Sequence, residues 1–169
     1  MTFITGIAFD GNLDKIKPLL TLYFIFMYSD VQILIVDDDP EDVFIMQMMC
    51  KELSFLENVH FVSDGLTLLH YLDGLYENQL PLLIILDQNM PRFNGVQTLE
   101  AIRSNTRYHL LRVIIYTDLP DALQSNRLKE LGVEAFVTKP NTYEQGLEIM
   151  QQFHDCSKGG YTFPMAATG

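Results

Sequence analysis

Five short apolar runs, each ending in polar residues and each followed by a helix-like stretch, constrain this chain more than any other feature. The runs are Ile33-Leu34-Ile35-Val36 before Asp37, Val59-His60-Phe61-Val62, Leu82-Leu83-Ile84-Ile85-Leu86 before Asp87, Val113-Ile114-Ile115-Tyr116 before Thr117, and Ala135-Phe136-Val137-Thr138 before Lys139. The first, third and fourth are nearly all Ile, Val and Leu, the composition of strands buried on both faces of a parallel sheet. The stretches between them carry helix punctuation. Asp39-Pro40 opens one, Asp64-Gly65 a second and Asn94-Gly95 a third. A fourth is expected from about Pro120 to Leu131 with Gly132 as its stop, and a fifth from near Thr142 with Leu147, Met150 and Phe153 at helical spacing. Strand–helix alternation repeated five times predicts an α/β fold with helices on both faces of a parallel sheet.

A chain of 169 residues makes about one such domain. The reading places a domain over residues 29–156, an N-terminal extension over 1–28 and a flexible Gly-rich tail over 157–169. The apolar run Leu19 to Met27 is shorter than the roughly 20 residues a membrane span requires. Its flanks, with Asp10 and Asp14 upstream and no small-residue cleavage site, do not suit a secretory signal. Met27 is a candidate start residue, which makes residues 1–26 dispensable in this reading. The net charge of −11 repels phosphate backbones and anionic lipid, so neither direct nucleic-acid binding nor membrane binding is expected. Cys50 and Cys156 belong to no CxxC or Cys/His cluster and read as free thiols in a reducing compartment.

Function in open parallel sheets collects at the carboxyl ends of the strands. Those ends carry Asp37 and Asp38, then Asp87, Thr117 and Lys139. Taken singly each has an ordinary explanation. A helix N-terminus favours the Asp37-Asp38-Asp39 run, Asp87 is a strand-end turn residue, and Lys139 before Pro140 is a solvated loop lysine. Together they place a carboxylate cluster, a hydroxyl and an ammonium on one rim. Clustered carboxylates repel each other unless a cation neutralises them, and an all-oxygen donor set suits Mg²⁺ or Mn²⁺. Beside such an ion a carboxylate can attack phosphorus to give an acyl phosphate, with the lysine and hydroxyl stabilising the phosphoryl oxygens.

The segments ILIVDDDPED, LDQNMPRFNG, VIIYT and FVTKP resemble the signature segments of response-regulator receiver domains, in the same order and over about 120 of the 169 residues. The spacings agree as well: Thr117 follows Asp87 by 30 residues, and Lys139 follows Thr117 by 22. The resemblance implies a flavodoxin-like five-stranded sheet of order 2-1-3-4-5 with five helices. It implies Asp87 as phosphoacceptor, with Thr117 and Lys139 completing the catalytic set. Asp37, Asp38 and Asp87 are the implied metal ligands, Asn89 offering its backbone carbonyl, with Mg²⁺ the expected ion and Mn²⁺ a substitute. Thr117 and Phe136 are the implied switch pair, Met90-Pro91 and Gly95 shape the turn after Asp87, and Lys139-Pro140 is expected to be cis.

The same resemblance implies a cytoplasmic, non-enzyme signalling protein. It would be phosphorylated by a sensor histidine kinase or phosphotransfer protein and act on an unidentified downstream protein. With one helix and a tail after Lys139, that response would pass through contacts of helix 4, strand 5 and helix 5. Two departures stand out. Asp118 occupies a position usually held by a small residue, where it reads either as a cap for helix 4 or as a negative charge at the mouth of the site. About five additional residues separate Asp38 from Asp87 and fit the YENQLP stretch. Two alternatives compete with the main reading: an interaction module of the same fold that is never phosphorylated, and a haloacid-dehalogenase-like phosphatase. Glu41 stands where the latter's motif requires Thr or Val, and no acidic metal motif follows Lys139.

Overall fold

This computed structural model describes Lys17, residues 31–118 and residues 122–164. Apart from Lys17, the extension expected over 1–28 lies outside the described residues, as do residues 29–30, 119–121 and 165–169.

Five parallel strands alternate with five helices in the described residues: β1 (Ile33–Val36), α1 (Pro40–Glu52), β2 (Val59–Val62), α2 (Gly65–Gly74), β3 (Leu83–Leu86), α3 (Gly95–Ser104), β4 (Val113–Thr117), α4 (Ala122–Glu130), β5 (Ala135–Thr138) and α5 (Tyr143–Ser157). The sheet order is β2-β1-β3-β4-β5, the expected one. Register aligns Val36 with both Val62 and Leu86, and Thr117 with Thr138. The functional strand ends therefore finish on one rim.

Strand alternation divides the core into two layers. Ile33, Ile35, Ile85, Ile114, Tyr116, Ala135 and Val137 face Met46, Met49 and Cys50 of α1 and Met150 and Phe153 of α5. Leu34, Val36, Ile84, Leu86, Val113 and Ile115 face Leu68 and Leu72 of α2, Leu99 and Ile102 of α3 and Leu128 of α4. Leu82, expected within the third strand, precedes it and is exposed.

Local chemistry starts the helices where the sequence suggests. The Asp39 carboxylate accepts from the Glu41 N–H, with Pro40 opening α1. Asp64 accepts from both the N–H and the hydroxyl of Thr67. Asn94 and Gln97 form a reciprocal capping box at α3. Gly132, at φ +76°, follows the end of α4 in the left-handed region that glycine tolerates. The YENQLP stretch forms a short 3₁₀ turn, Glu77–Gln79, with Tyr76 exposed.

The C-terminal segment departs from the expected flexible tail. Helix α5 includes Ser157, and Phe163 is buried with its ring centroid 5.3 Å from that of Phe153. Tyr161 packs edge-on against Phe163 at 4.8 Å. The Gly159 turn (φ +76°) reverses the chain and lets these aromatics cover the end of the α1/α5 layer.

Candidate functional site

Each strand-end aspartate is fixed by its own loop. The Oδ1 of Asp37 accepts from the N–H of Asp39 at 2.9 Å, and the Oδ1 of Asp87 accepts from the N–H of Asn89 at 3.0 Å. Both are aspartate turns closed two residues on, which lock the carboxylate and leave Oδ2 directed to the rim. The loop after Asp87 is held by Met90, buried in the core beneath α2 and α3. Arg92 takes a left-handed φ of +67°, and a Cβ on Gly95 would stand 2.8 Å from the Asp87 carbonyl oxygen. The Pro91 carbonyl accepts from the Phe93 N–H at 2.7 Å, and with the contacts of Met90 and Gly95 this agrees with the expectation that Met90-Pro91 and Gly95 shape the turn.

Lys139 is delivered by the end of β5, its backbone N–H donating to the carbonyl of Thr117 at 3.1 Å. Its Nζ donates to Oδ2 of Asp37 at 2.8 Å, of Asp42 at 2.7 Å and of Asp87 at 3.1 Å. The ring of Tyr116 lies 5.8 Å from the same nitrogen. The Lys139–Pro140 bond is trans, correcting the expected cis bond; no described peptide bond is cis. Trans is the lower-energy form of an X–Pro bond, and here it already brings the ammonium to all three carboxylates.

Burial sets the electrostatics. Asp37 is 2 % exposed and Asp87 9 %. Loss of water raises the Asp37 carboxyl above its ordinary value, a push only partly offset by the hydrogen bond from Lys139. For Lys139, burial alone pulls the ammonium down, but the hydrogen bonds to Asp37 and Asp42 overcome it and hold the group above its ordinary value. The carboxylates of Asp37, Asp42 and Asp87 thus meet the Lys139 ammonium, with Asp38 beside Asp37 and Asp87, so that among the described residues this cluster carries more carboxylates than ammonium groups. One oxygen each from Asp37, Asp38 and Asp87 lies within 4.8 Å of the others, two of these residues buried and Asp38 exposed. A hard, all-oxygen, charge-rich donor set of this size fits a divalent cation of the Mg²⁺ or Mn²⁺ type.

Thr117 is buried at the end of β4, and its Oγ1 accepts from the Nδ2 of Asn89 at 3.1 Å. Phe136 lies on β5 against the α2–α4 layer, half-buried, with the Lys129 ammonium 5.9 Å from its ring centroid. Asp118 is exposed and shares with Asp42, Tyr116 and Lys139 a groove of about 260 Å³ beside the site. Its alternative role as a helix cap concerns residues 119–121, outside the described residues.

All the sequence-derived candidates except Phe136 therefore meet on one rim, and Phe136 sits one strand position from Val137 on the opposite face of β5. Two contributions were not anticipated. Asp42 in the first turn of α1 is a third partner of Lys139, and Asn89 acts through its side chain as well as its backbone. An acidic residue in a first helical turn is explained by the helix dipole alone, so Asp42 carried no separate signal in the sequence.

The family model for the response regulator receiver domain matches residues 33–151. The chain is similar to response regulator Rcp1 of Synechocystis sp., 27 % identical over 137 residues that cover 79 % of this chain and 93 % of that one. Among solved structures it is similar to the Mn²⁺-bound form of Rcp1, with a TM-score of 0.60, 26 % identity and coverage of 80 % and 98 %. The phosphorylated cyanobacterial phytochrome response regulator RcpA shares the fold, with a TM-score of 0.67, 24 % identity and coverage of 78 % and 96 %. Fold, strand-end chemistry and sequence likeness lead to one assignment: the chain belongs to the response regulator receiver domain family.

Proposed function

We propose that Asp87 accepts a phosphoryl group from the phosphohistidine of a sensor histidine kinase or phosphotransfer protein. The observation that carries this reading is the position of Asp87: Oδ1 is fixed by the Asn89 N–H, and Oδ2 lies 3.1 Å from the Lys139 ammonium. A carboxylate oxygen of Asp87 attacks phosphorus, the P–O bond of an acyl phosphate forms, the P–N bond to the donor imidazole breaks, and the imidazole leaves with a proton from solvent. Lys139 pairs with a phosphoryl oxygen, and the Thr117 hydroxyl donates to another, so charge on the transferred group meets donors already in place.

Asp37, Asp38 and Asp87, with the backbone carbonyl of Asn89, would hold Mg²⁺, or Mn²⁺ in its place. When bound, the ion neutralises carboxylate and phosphoryl charge. The excess of carboxylates over ammonium at the rim supports this. Thr117 and Phe136 form the switch: drawing the threonine toward the phosphoryl group opens room for the phenylalanine to turn inward. The output is a cytoplasmic protein–protein contact through α4, β5 and α5, and the −11 charge of the chain favours a protein over a nucleic acid as target. The family assignment sets aside the dehalogenase-like phosphatase. The exposed Asp118 beside the groove favours, as a second reading, a module that excludes anionic donors.

Intact mass after incubation with acetyl phosphate and Mg²⁺ decides between them. The full chain should gain one phosphoryl group, chelation of the metal should suppress the gain, and Asp87→Asn should abolish it. An unchanged gain in Asp87→Asn would sink the phosphoacceptor assignment. No gain in the unsubstituted chain would favour the second reading.

A further inference from the structure

We infer that Asp42 is a displaceable counter-ion that holds Lys139 at rest and yields it to the phosphoryl group; this rests on Asp87 being the phosphoacceptor. A lysine ammonium has three protons. Here all three have acceptors: Asp37 at 2.8 Å, Asp42 at 2.7 Å and Asp87 at 3.1 Å. While Asp87 is still a carboxylate, an incoming phosphoryl oxygen can therefore reach Lys139 only by displacing one of them.

Burial decides which one goes. The side chains of Asp37 and Asp87 are 1 % and 11 % exposed, and that of Asp42 is 37 % exposed. Releasing Asp37 strands a carboxylate away from water, which is costly, and Asp87 is the attacking group, which stays in place until its oxygen bonds phosphorus. Released, Asp42 turns into solvent and is rehydrated. The first turn of α1 also retains the favourable position of an acid near a helix N-terminus, so the released carboxylate keeps that interaction. Asp87 and Asp37 are tied a second time, by the N–H groups of Asn89 and Asp39, whereas the Asp42 carboxylate has Lys139 as its hydrogen-bond donor. Asp42 is thus a positioning residue. It keeps the ammonium in the site before the phosphoryl arrives, and it competes for that ammonium when the phosphoryl is present.

The experiment compares phosphorylation rates of the full chain with acetyl phosphate and Mg²⁺, read by intact mass, for wild type, Asp42→Asn, Asp42→Glu and Glu41→Gln. Asp42→Asn should react about three- to tenfold faster, because Lys139 is released and one negative charge is removed from the donor's path. Asp42→Glu retains the charge and should return to within about twofold of wild type. Glu41, exposed in the same helical turn and outside the Lys139 cluster, controls for the loss of a helix-terminal charge, and its variant should match wild type. Equal acceleration by Asp42→Asn and Glu41→Gln would overturn the proposal, as would an Asp42→Asn rate equal to or below wild type. If Asp42→Asn is unfolded by circular dichroism, Asp42→Ala takes its place, and loss of folding in both assigns Asp42 to the framework and overturns the proposal. If wild type itself gains no phosphoryl that Asp87→Asn lacks, the phosphoacceptor reading fails and this one with it, an outcome distinct from the others.

Discussion

The side-chain amide of Asn89 donates to the hydroxyl of Thr117 at 3.1 Å, joining the loop after β3 to the end of β4 across 28 residues of sequence. Because Thr117 is 1 % exposed, removing that donor leaves a hydroxyl oxygen with little access to water. Asn89→Ala should cost about 1–2 kcal/mol of stability in urea melts without metal. The coupling to Thr117→Val in a double-mutant cycle should be about 0.5–1.5 kcal/mol. Strictly additive effects would show that the two side chains do not act together.

Asp118 carries a negative charge into the groove next to Lys139. In the charge-barrier reading, Asp118→Ala should speed phosphorylation by acetyl phosphate about fivefold, more at low ionic strength than at high. A wild-type rate at both salt concentrations, accompanied by a lower melting temperature, would assign the residue to capping of α4 instead.

Glu134 accepts two hydrogen bonds from Arg112, at 2.7 Å from Nε and 2.5 Å from a terminal nitrogen. That hydrogen bonding outweighs burial and holds the Glu134 carboxyl below the usual glutamate value of 4.5. A carboxyl depressed in the folded state stabilises it fully above the unfolded value, and the contribution disappears as pH falls through the folded value. Glu134→Gln should therefore lose about 1 kcal/mol at neutral pH, a figure already reduced for solvent screening of this partly exposed pair. As the pH falls below 4.5 and through the folded-state value, the difference between variant and wild type should shrink progressively. A stability difference that is constant from pH 7 to pH 3 would contradict this account.

Phe163 fills space against Phe153 and Tyr161 at the end of the α1/α5 layer. Phe163→Ala should destabilise the protein by about 3–5 kcal/mol, the usual range for a buried aromatic. A change below about 0.5 kcal/mol, as at an ordinary surface position, would mean that the segment after α5 contributes nothing to the core.

The sequence by itself determined the framework and most of the rim. Unbroken Ile, Val and Leu runs can be satisfied only by strands buried on both faces, so β1, β3 and β4 were legible from composition. Asp39, Asp64, Asn94 and Thr142 cap the helices through bonds no more than three residues long, and such local chemistry is written in the order of the residues. Asp37, Asp38, Asp87, Thr117 and Lys139 could be placed together because each ends a strand, and parallel strands finish on one side. Tertiary structure alone decided the rest. Asp42 and Lys139 are 97 residues apart, and the helix dipole already explained an acid at Asp42. The amide of Asn89 had several possible partners until β3 and β4 were set side by side. Phe163 lies in a Gly-rich tail whose composition favours flexibility, and it is buried because Phe153 of α5 presents an apolar surface to cover. Spacing along the chain encodes contacts between near neighbours; contacts whose partners come from distant segments exist only after the sheet has set their separation.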